Sequence, residues 1–476
     1  MSGESLSSDF VSAEEAEALD RRFVFHPFTN LAGHLRSDAP VIVAGEGSTV
    51  RDARGRSYLD AMGGLWCVNV GYGRREIADA LRDEALRLGY YHAFSSMATD
   101  LPAEVAERVI DLYPAPMSKV FFGNSGSDAN DTQVKLVWYY NNLLGRPEKK
   151  KIISRQRAYH GVTVVSASLT GLTSLHEGFD LPLPMIRHTT APHRFWEALP
   201  DETDEDFAAR LAGDLEQLIL AEGPETVAAF IGEPLQGAGG VIVPPHTYWE
   251  RIQEVLRTYD VLLICDEVIC GFGRLGYWFG SERYDIRPDV VTFAKGVGSA
   301  HVPLGGVLIS DKVSAPFLEG TTMYNHGITY GGHPVSCAVA LKNLEVMERL
   351  DVLGNVRSNE SYFRGVLDKL AEKPIVGDVR GAGYFMSLEL VKDKDTKETF
   401  SEDESEHLLR NFLSGRLYEA GLICRADDRG DPVIQLSPPL VATRDDLDYI
   451  HDVLDTVLDE AWQEMTRGRS RQAVSG

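Results

Sequence analysis

The sequence predicts an α/β fold with a mostly parallel sheet in a large domain, helices on both sheet faces, and a smaller α+β domain built from both chain ends. The first observation is that short apolar runs, typical of buried strands, alternate with helix-like segments. This alternation favours parallel strands joined by helical crossovers. The strand candidates are VFF at 120–122, KIIS at 151–154, VAAFI at 227–231, VLLIC at 261–265, VVTFA at 290–294 and GVLIS at 306–310.

The second observation is that the flanking segments have a different character. Residues 36–72 have the pattern of a small β-meander, and residues 337–468 are rich in helix patterns, with a strand-like YFMSLEL at 384–390. Short polar ends are expected to be disordered. The predicted boundaries are 73–336 for the large domain, 9–72 together with 337–468 for the small, discontinuous domain, and 1–8 and 469–476 for disordered tails.

Composition narrows the class of protein. The 476 residues include 47 Lys and Arg against 71 Asp and Glu, so the net charge of −24 disfavours nucleic acid and anionic membranes as partners. No apolar run approaches the ~18 residues of a membrane span, and the first residues lack the pattern of a signal peptide. The five cysteines form no CxxC pair, so neither disulfides nor a metal site is expected. We expect a cytoplasmic protein.

Residues 271–276, GFGRLG, match the GxGxxG dinucleotide fingerprint and follow a predicted strand. The next residues, YWFGSERYD, are aromatic and turn-rich, whereas the fingerprint requires a helix that begins against a diphosphate. We therefore do not expect nicotinamide or flavin binding.

Charged residues close two of the buried strands. Asp266 ends VLLICD and Lys295 follows VVTFA, at the sheet edge where open α/β folds bind ligands. A salt bridge capping the sheet would explain the pair. A lysine that forms a Schiff base, with a carboxylate facing a cationic ring nitrogen, would explain it equally well and is how proteins hold pyridoxal phosphate.

A third strand end favours the cofactor. The segment from Ser125 through Gly126 to Ser127 joins a strand to an amphipathic helix, so its N–H groups and hydroxyls suit one phosphate group. A simple serine cap with Asp128 in the first turn is the local alternative. Three further residues follow predicted strands on the same rim; they are Tyr159, whose ring could stack on a cofactor, His160 and Glu233.

With these residues in place, the chain from about 20 to 465 closely resembles the class III, pyridoxal-phosphate-dependent aminotransferases, and within them the pyruvate-using ω-transaminases. The resemblance implies fold type I of the pyridoxal-phosphate-dependent transferases. It is carried by NSGSDANDTQVKLVWYYNN at 124–142, YHG at 159–161, GEPLQGAGG at 232–240, CDEVICGFGRLG at 265–276, FAKG at 293–296, HGITYGGHPVSCAVAL at 326–341 and the tryptophan of GGLWCVNVGYG at 63–73.

The resemblance implies roles for individual residues. Lys295 resembles the lysine that binds the cofactor and then moves the substrate proton, and Asp266 resembles the partner of the pyridine nitrogen. Thr329 resembles a threonine that reaches the phosphate from the neighbouring subunit, which implies a homodimer, or a dimer of dimers. The other implied cofactor contacts are Val268 beneath the ring, Tyr159 on its other face, Ser125, Gly126 and Ser127 at the phosphate, and His160 and Glu233 at the rim.

Substrate residues also follow from the resemblance. Arg425 is similar to a mobile arginine that pairs with a substrate carboxylate, a task that suits the bidentate guanidinium. A surface arginine in a DDR-rich loop is the alternative. The residues expected to shape the two substrate pockets are Phe28, Trp66, Phe94 and Ala238.

Local features bear on the branch of the family. Ile269-Cys270 and WYYNN at 138–142 are typical of the pyruvate-using branch, whereas His301 stands where many relatives carry a tyrosine. A transaminase that uses 2-oxoglutarate, or a related aminomutase, is the nearest alternative. A non-catalytic regulator is disfavoured, because such proteins normally append a basic DNA-binding module.

Overall fold

A computed structural model of the chain describes residues 12–36, 40–319, 321–426 and 431–475, with side chains described as far as Arg467. Its strands are β1 Ile42–Glu46, β2 Thr49–Asp52, β3 Ser57–Asp60, β4 Lys119–Gly123, β5 Lys151–Arg155, β6 Ile186–Thr189, β7 Val227–Gly232, β8 Leu262–Asp266, β9 Val290–Phe293, β10 Gly305–Ile309, β11 Val376–Ala382, β12 Phe385–Leu390, β13 Leu422–Ile423 and β14 Val433–Leu436.

The α-helices are α1 Ala13–Phe23, α2 Leu31–His34, α3 Gly63–Trp66, α4 Arg75–Arg87, α5 Asp100–Leu112, α6 Gly126–Leu143, α7 Val164–Leu169, α8 Arg194–Glu197, α9 Asp204–Glu222, α10 Tyr248–Thr258, α11 Gly280–Arg283, α12 Asp311–Leu318, α13 Pro334–Arg349, α14 Val352–Asp368, α15 Glu402–Glu404, α16 Ser414–Glu419 and α17 Arg444–Ser475. Short 3₁₀ turns span Phe94–Ser96, Thr173–Leu175, Lys295–Gly298 and Lys369–Glu372, and a π-helical segment spans Ser405–Leu413. No helix within the described ranges is long and apolar enough to cross a membrane.

The central sheet has seven strands in the order β4-β10-β9-β8-β7-β5-β6. The five strands from β9 to β6 pair in parallel, and β10 runs antiparallel to both of its neighbours. Strands β7 and β8 are buried along their whole length, as expected for the middle of a sheet covered by helices on both faces. The predicted α/β fold with a mostly parallel sheet is confirmed.

Two smaller sheets lie outside the central one. The antiparallel β1-β2-β3 meander confirms the pattern predicted at 36–72, and β13 extends it in parallel, with Leu422 opposite Leu59. The third sheet, β11-β12-β14, contains the strand predicted at 384–390. Residues from both chain ends therefore share one sheet.

The exact domain boundaries stay predictions. The tail predicted at 1–8 lies outside the described residues. Of the tail predicted at 469–476, residues 469–475 form the end of the backbone of α17.

Candidate active site

A cavity of about 440 Å³ opens where β8 and β9 end and α6 begins. Its size falls in the usual range of small-molecule sites, about 300–1,000 Å³. The structure brings most of the predicted site residues together here; those that line the cavity are Trp66, Ser125, Gly126, Ser127, Tyr159, His160, Glu233, Asp266, Val268 and Lys295.

Asp266, at the end of β8, is 3% exposed, and its carboxylate is held by three donors. Its Oδ2 accepts from Asn130 Nδ2 at 2.9 Å and from His160 Nδ1 at 2.8 Å, while Oδ1 accepts the backbone N–H of Val268 at 3.0 Å. Since a carboxylate only accepts, the proton of the His160 ring is assigned to Nδ1. These bonds fix one orientation of the carboxylate at the cavity wall.

Asn130 is a residue that sequence reasoning missed. Besides Asp266, its amide donates to the carbonyl oxygen of His160 at 2.6 Å, and its Oδ1 accepts from Thr292 Oγ1 at 2.8 Å. Thr292 lies directly opposite Asp266 in the β8–β9 pairing. One signal was available, because Asn130 is a polar residue on the buried face of α6, where an amide needs partners.

The N-terminus of α6 faces the same cavity. A capping box closes it, because Ser125 Oγ accepts the N–H of Asp128 at 3.2 Å and the Asp128 carboxylate accepts the N–H of Ser125 at 2.9 Å. The serine-cap reading of Ser125 is therefore correct for its side chain. The N–H groups of Gly126 and Ser127 lie in the first helical turn, which lacks intrahelical acceptors and carries the positive end of the helix dipole.

Gly126 is required for close packing at this point. A Cβ on Gly126 would lie 2.9 Å from Val268 Cγ2, closer than carbon atoms pack. The start of α6 therefore contacts the residue two positions beyond Asp266. This contact joins the anion-binding turn to the strand end that carries the carboxylate.

Lys295 follows β9 with a backbone φ of +49°, a left-handed conformation that costs a residue with a side chain about 1–2 kcal/mol. Its ammonium nitrogen lies over the Trp66 ring, 4.9 Å from the ring centroid. Strained backbone of this kind persists where surrounding structure enforces it, often at active sites.

Glu233 is a buried carboxylate that lines the cavity beside Tyr159. Its two carboxylate oxygens accept the N–H of Tyr159 at 3.1 Å and the N–H of Gly237 at 2.7 Å. Burial raises the pKa of this carboxyl group. Its contacts hold the loop that carries the half-buried Tyr159 ring at the cavity.

Five predicted residues do not line the cavity in the single chain. Phe28 and Phe94 are 58% and 47% exposed, and Thr329 is exposed, with its carbonyl accepting the Tyr90 hydroxyl at 2.6 Å. The other two are Ala238, which is buried with its carbonyl bonded to Gln435, and Arg425, which is half-buried just before the undescribed residues 427–430. Their substrate and cofactor roles stay predictions.

The GxGxxG match has a structural explanation. Its glycines form turns between β8 and α11, and Gly273 and Gly276 have φ values of +95° and +83°. Between them, the buried Arg274 side chain donates to the carbonyl oxygens of Tyr384 and Pro438. The segment thus ties the central sheet to later parts of the chain.

The cavity residues fit pyridoxal phosphate. The N–H groups in the first turn of α6 face the cavity and suit the phosphate. Asp266 offers an oriented carboxylate for a protonated ring nitrogen, and Lys295 lines the same cavity. Gly126 leaves the start of the helix without a side chain that would fill this space.

Comparison with known proteins points the same way. The family model described as aminotransferase class-III matches residues 35–458. The chain is 45% identical to an uncharacterised aminotransferase of Sinorhizobium fredii, covering 96% of this chain and 98% of that relative. It is 44% identical to the diaminobutyrate–2-oxoglutarate transaminase of Halomonas elongata, with the same coverage of both chains.

A solved structure of similar sequence is the ω-transaminase of Pseudomonas jessenii in complex with PMP. It superposes with a TM-score of 0.90 at 43% identity, covering 94% of this chain and 98% of that one. Its cofactor confirms the cofactor class predicted for the cavity. The chain therefore belongs to the class III aminotransferases and is a pyridoxal-phosphate-dependent aminotransferase of fold type I.

Proposed function

We propose that this chain is an ω-transaminase that moves an amino group from a primary amine or ω-amino acid to pyruvate, giving an aldehyde or ketone and L-alanine by a ping-pong mechanism. The observation that carries the proposal is the cavity itself. Lys295 and Asp266 share it with an apolar wall that includes Leu65, Trp66 and Ile269. An apolar wall accommodates the substituent of an amine that lacks an α-carboxylate.

The cofactor, when bound, supplies an electron sink for the bond broken at the amine-bearing carbon. Lys295 Nζ supplies the base that accepts the proton from this carbon and returns it during transfer. A free lysine, with a pKa of ~10.4, is protonated at neutral pH, so Lys295 has to lose that proton before it can act as a base. The left-handed turn at Lys295 fixes where the side chain starts.

The other residues position and stabilise charge. The Asp266 carboxylate keeps a proton on the ring nitrogen by its negative charge, and His160 and Asn130 hold the carboxylate in place. The first N–H groups of α6 bind the phosphate, since the positive end of the helix faces the cavity. Tyr159 and Val268 both line the cavity and would cover the two faces of a bound ring, which would exclude water from the proton transfer.

The choice of pyruvate rests on WYYNN at 138–142, on Ile269-Cys270 and on likeness to an ω-transaminase structure. The 2-oxoglutarate transaminase of H. elongata supports the other acceptor. In assays with a fixed amine donor, we expect pyruvate to exceed 2-oxoglutarate in kcat/KM by about tenfold or more, a difference of ~1.4 kcal/mol in transition-state binding. Higher kcat/KM with 2-oxoglutarate would contradict the branch, and turnover without any acceptor would indicate an aminomutase.

The Arg425→Ala variant tests how the acceptor carboxylate is bound. If Arg425 binds acceptor carboxylates, its loss removes a charged hydrogen bond worth about 1.5–3 kcal/mol. The half-reaction in which an amine without a carboxylate passes its amino group to the cofactor and leaves as an aldehyde or ketone, followed by absorbance, should keep its wild-type rate. An equal loss in both half-reactions would assign Arg425 a structural role.

We also propose a homodimer in which each subunit completes the other's site. Phe28, Phe94 and Thr329 support it, because all three are exposed and stand outside the cavity of their own chain. The Phe94 ring lies beside the segment that carries Thr329, since a Cβ on Gly327 would come within 2.8 Å of it.

Mixed dimers test this arrangement. Thr329→Glu places a negative charge beside the phosphate of the partner's site, and Lys295→Ala inactivates its own site. Mixed in equal amounts after reversible dissociation, the two inactive variants should regain about a quarter of the wild-type activity, because about half of the dimers are mixed and one of the two sites in each mixed dimer keeps both residues. Activity that stays at the level of the separate variants would place Thr329 in the site of its own chain.

A further inference from the structure

Two histidines and one carboxylate converge near the start of the described chain, outside the lining of the active-site cavity of the same chain. Asp20 lies in the last turn of α1, His26 in the following link, and His34 at the end of α2. Oδ2 of Asp20 lies 3.0 Å from His26 Nε2 and 2.9 Å from His34 Nε2. The side chains are partly buried, with exposed fractions of 29%, 28% and 13% for Asp20, His26 and His34.

The three ligand atoms are close enough for one ion to bind them all. One nitrogen or oxygen of each residue lies within 4.8 Å of the other two. Two atoms that each lie about 2.1 Å from one ion are about 3.0–3.4 Å apart for bond angles of about 90–110°. The two nitrogen–oxygen separations already have nearly this spacing, so small side-chain rotations would complete the geometry.

We propose that Asp20, His26 and His34 form a zinc site. Two imidazoles and a carboxylate are donors that zinc accepts, and three protein ligands leave a fourth, tetrahedral position for water. Each histidine binds through Nε2, with its own proton on Nδ1. In the part of the chain that the structure describes, no other three histidine, cysteine or acidic side chains converge in this way.

The site joins two short helices across the segment that contains Phe28. Phe28 lies between the two histidines in sequence and has a left-handed backbone, with φ of +50°. An ion bound to all three residues closes the link between α1 and α2, which reduces the number of conformations open to this segment. Zinc therefore stabilises the part of the chain that carries a predicted substrate residue.

The alternative is a latch in which both histidines simply donate hydrogen bonds to Asp20. The Asp20→Asn variant distinguishes the zinc site from the latch. Asparagine keeps an acceptor oxygen for the histidines but loses the negative charge that zinc requires. His34→Ala removes one ligand outright. His246→Ala is the matched control, since His246 is exposed and lies 3.8 Å from the single carboxylate of Glu205.

The experiment is isothermal titration of zinc chloride into the tag-free holoenzyme after treatment with a chelator. We expect one ion per chain that is lost, or bound at least about tenfold more weakly, in Asp20→Asn and His34→Ala. The His246→Ala variant should bind as the wild type does. Zinc should raise the thermal unfolding midpoint of the wild type and not that of the two ligand variants, whose circular dichroism checks their folding.

Two results would overturn the proposal. In the first, the wild type binds no zinc. In the second, it binds zinc with a stoichiometry and affinity that Asp20→Asn and His34→Ala leave unchanged, which would place the ion elsewhere and leave the latch as the role of the cluster.

Discussion

Replacing Lys295 with alanine is expected to lower turnover by at least about 10⁴-fold, the upper range for the loss of a general base. The variant removes the only nitrogen that we assign to proton transfer at the amine-bearing carbon. It also removes the covalent link to the cofactor, so the visible absorption of lysine-bound cofactor should disappear. Steady-state rates with pyruvate and an absorbance spectrum of the purified holoenzyme measure both effects.

A surface lysine provides the control. Lys312 is half exposed and pairs with Asp289 at 3.0 Å, so Lys312→Ala should retain both the spectrum and the turnover. Added methylamine should partly restore the Lys295→Ala variant, because a small amine can occupy the space of the missing side chain. Wild-type turnover in Lys295→Ala would exclude Lys295 as the base.

The elements that the sequence predicts correctly are those specified locally. Strands β7 and β8 are continuous apolar runs of strand length, as expected for strands that are buried on both faces. The α6 start was readable because a serine cap and an acidic residue three positions later lie within one turn. The antiparallel direction of β10 could not be predicted, because an apolar run such as GVLIS has the same pattern in a parallel and in an antiparallel strand.

Among the site residues, too, those with a local signal were predicted and those that depend on distant contacts were missed. Lys295 and Asp266 were predictable because charged residues at the ends of buried strands need a partner or a ligand. Asn130 was missed because its role depends on α6 crossing the end of β8, a contact between residues 136 positions apart in sequence. The Asp20 cluster was missed for a related reason, since its two histidines follow the carboxylate at intervals of 6 and 14 residues, which match no metal motif.

Replacing Asp266 with asparagine is expected to lower kcat by about 10²–10³-fold while the chain still folds, which is the loss expected for removing one preorganised charge. The negative charge beside the ring nitrogen disappears, so the bound ring holds its proton less strongly. Asparagine also turns an NH₂ group toward donors from His160, Asn130 or Val268, because it has a single acceptor oxygen. This mismatch should lower the free energy of unfolding by about 1–3 kcal/mol, measurable by urea denaturation.

The Asn130→Ala variant distinguishes the effect of the charge on Asp266 from the effect of its orientation. It keeps the Asp266 carboxylate and removes the amide that donates to it at 2.9 Å, leaving Thr292 Oγ1 without its acceptor. We expect a comparable loss of unfolding free energy but a smaller loss of kcat, with the cofactor's absorbance against pH close to that of the wild type. In Asp266→Asn the same titration should move away from that of the wild type, because the ring nitrogen loses its anionic partner and holds its proton less strongly. If both variants lose equal activity and neither titration moves, the carboxylate acts only by holding the cavity wall, and the charge at the ring nitrogen must come from another residue.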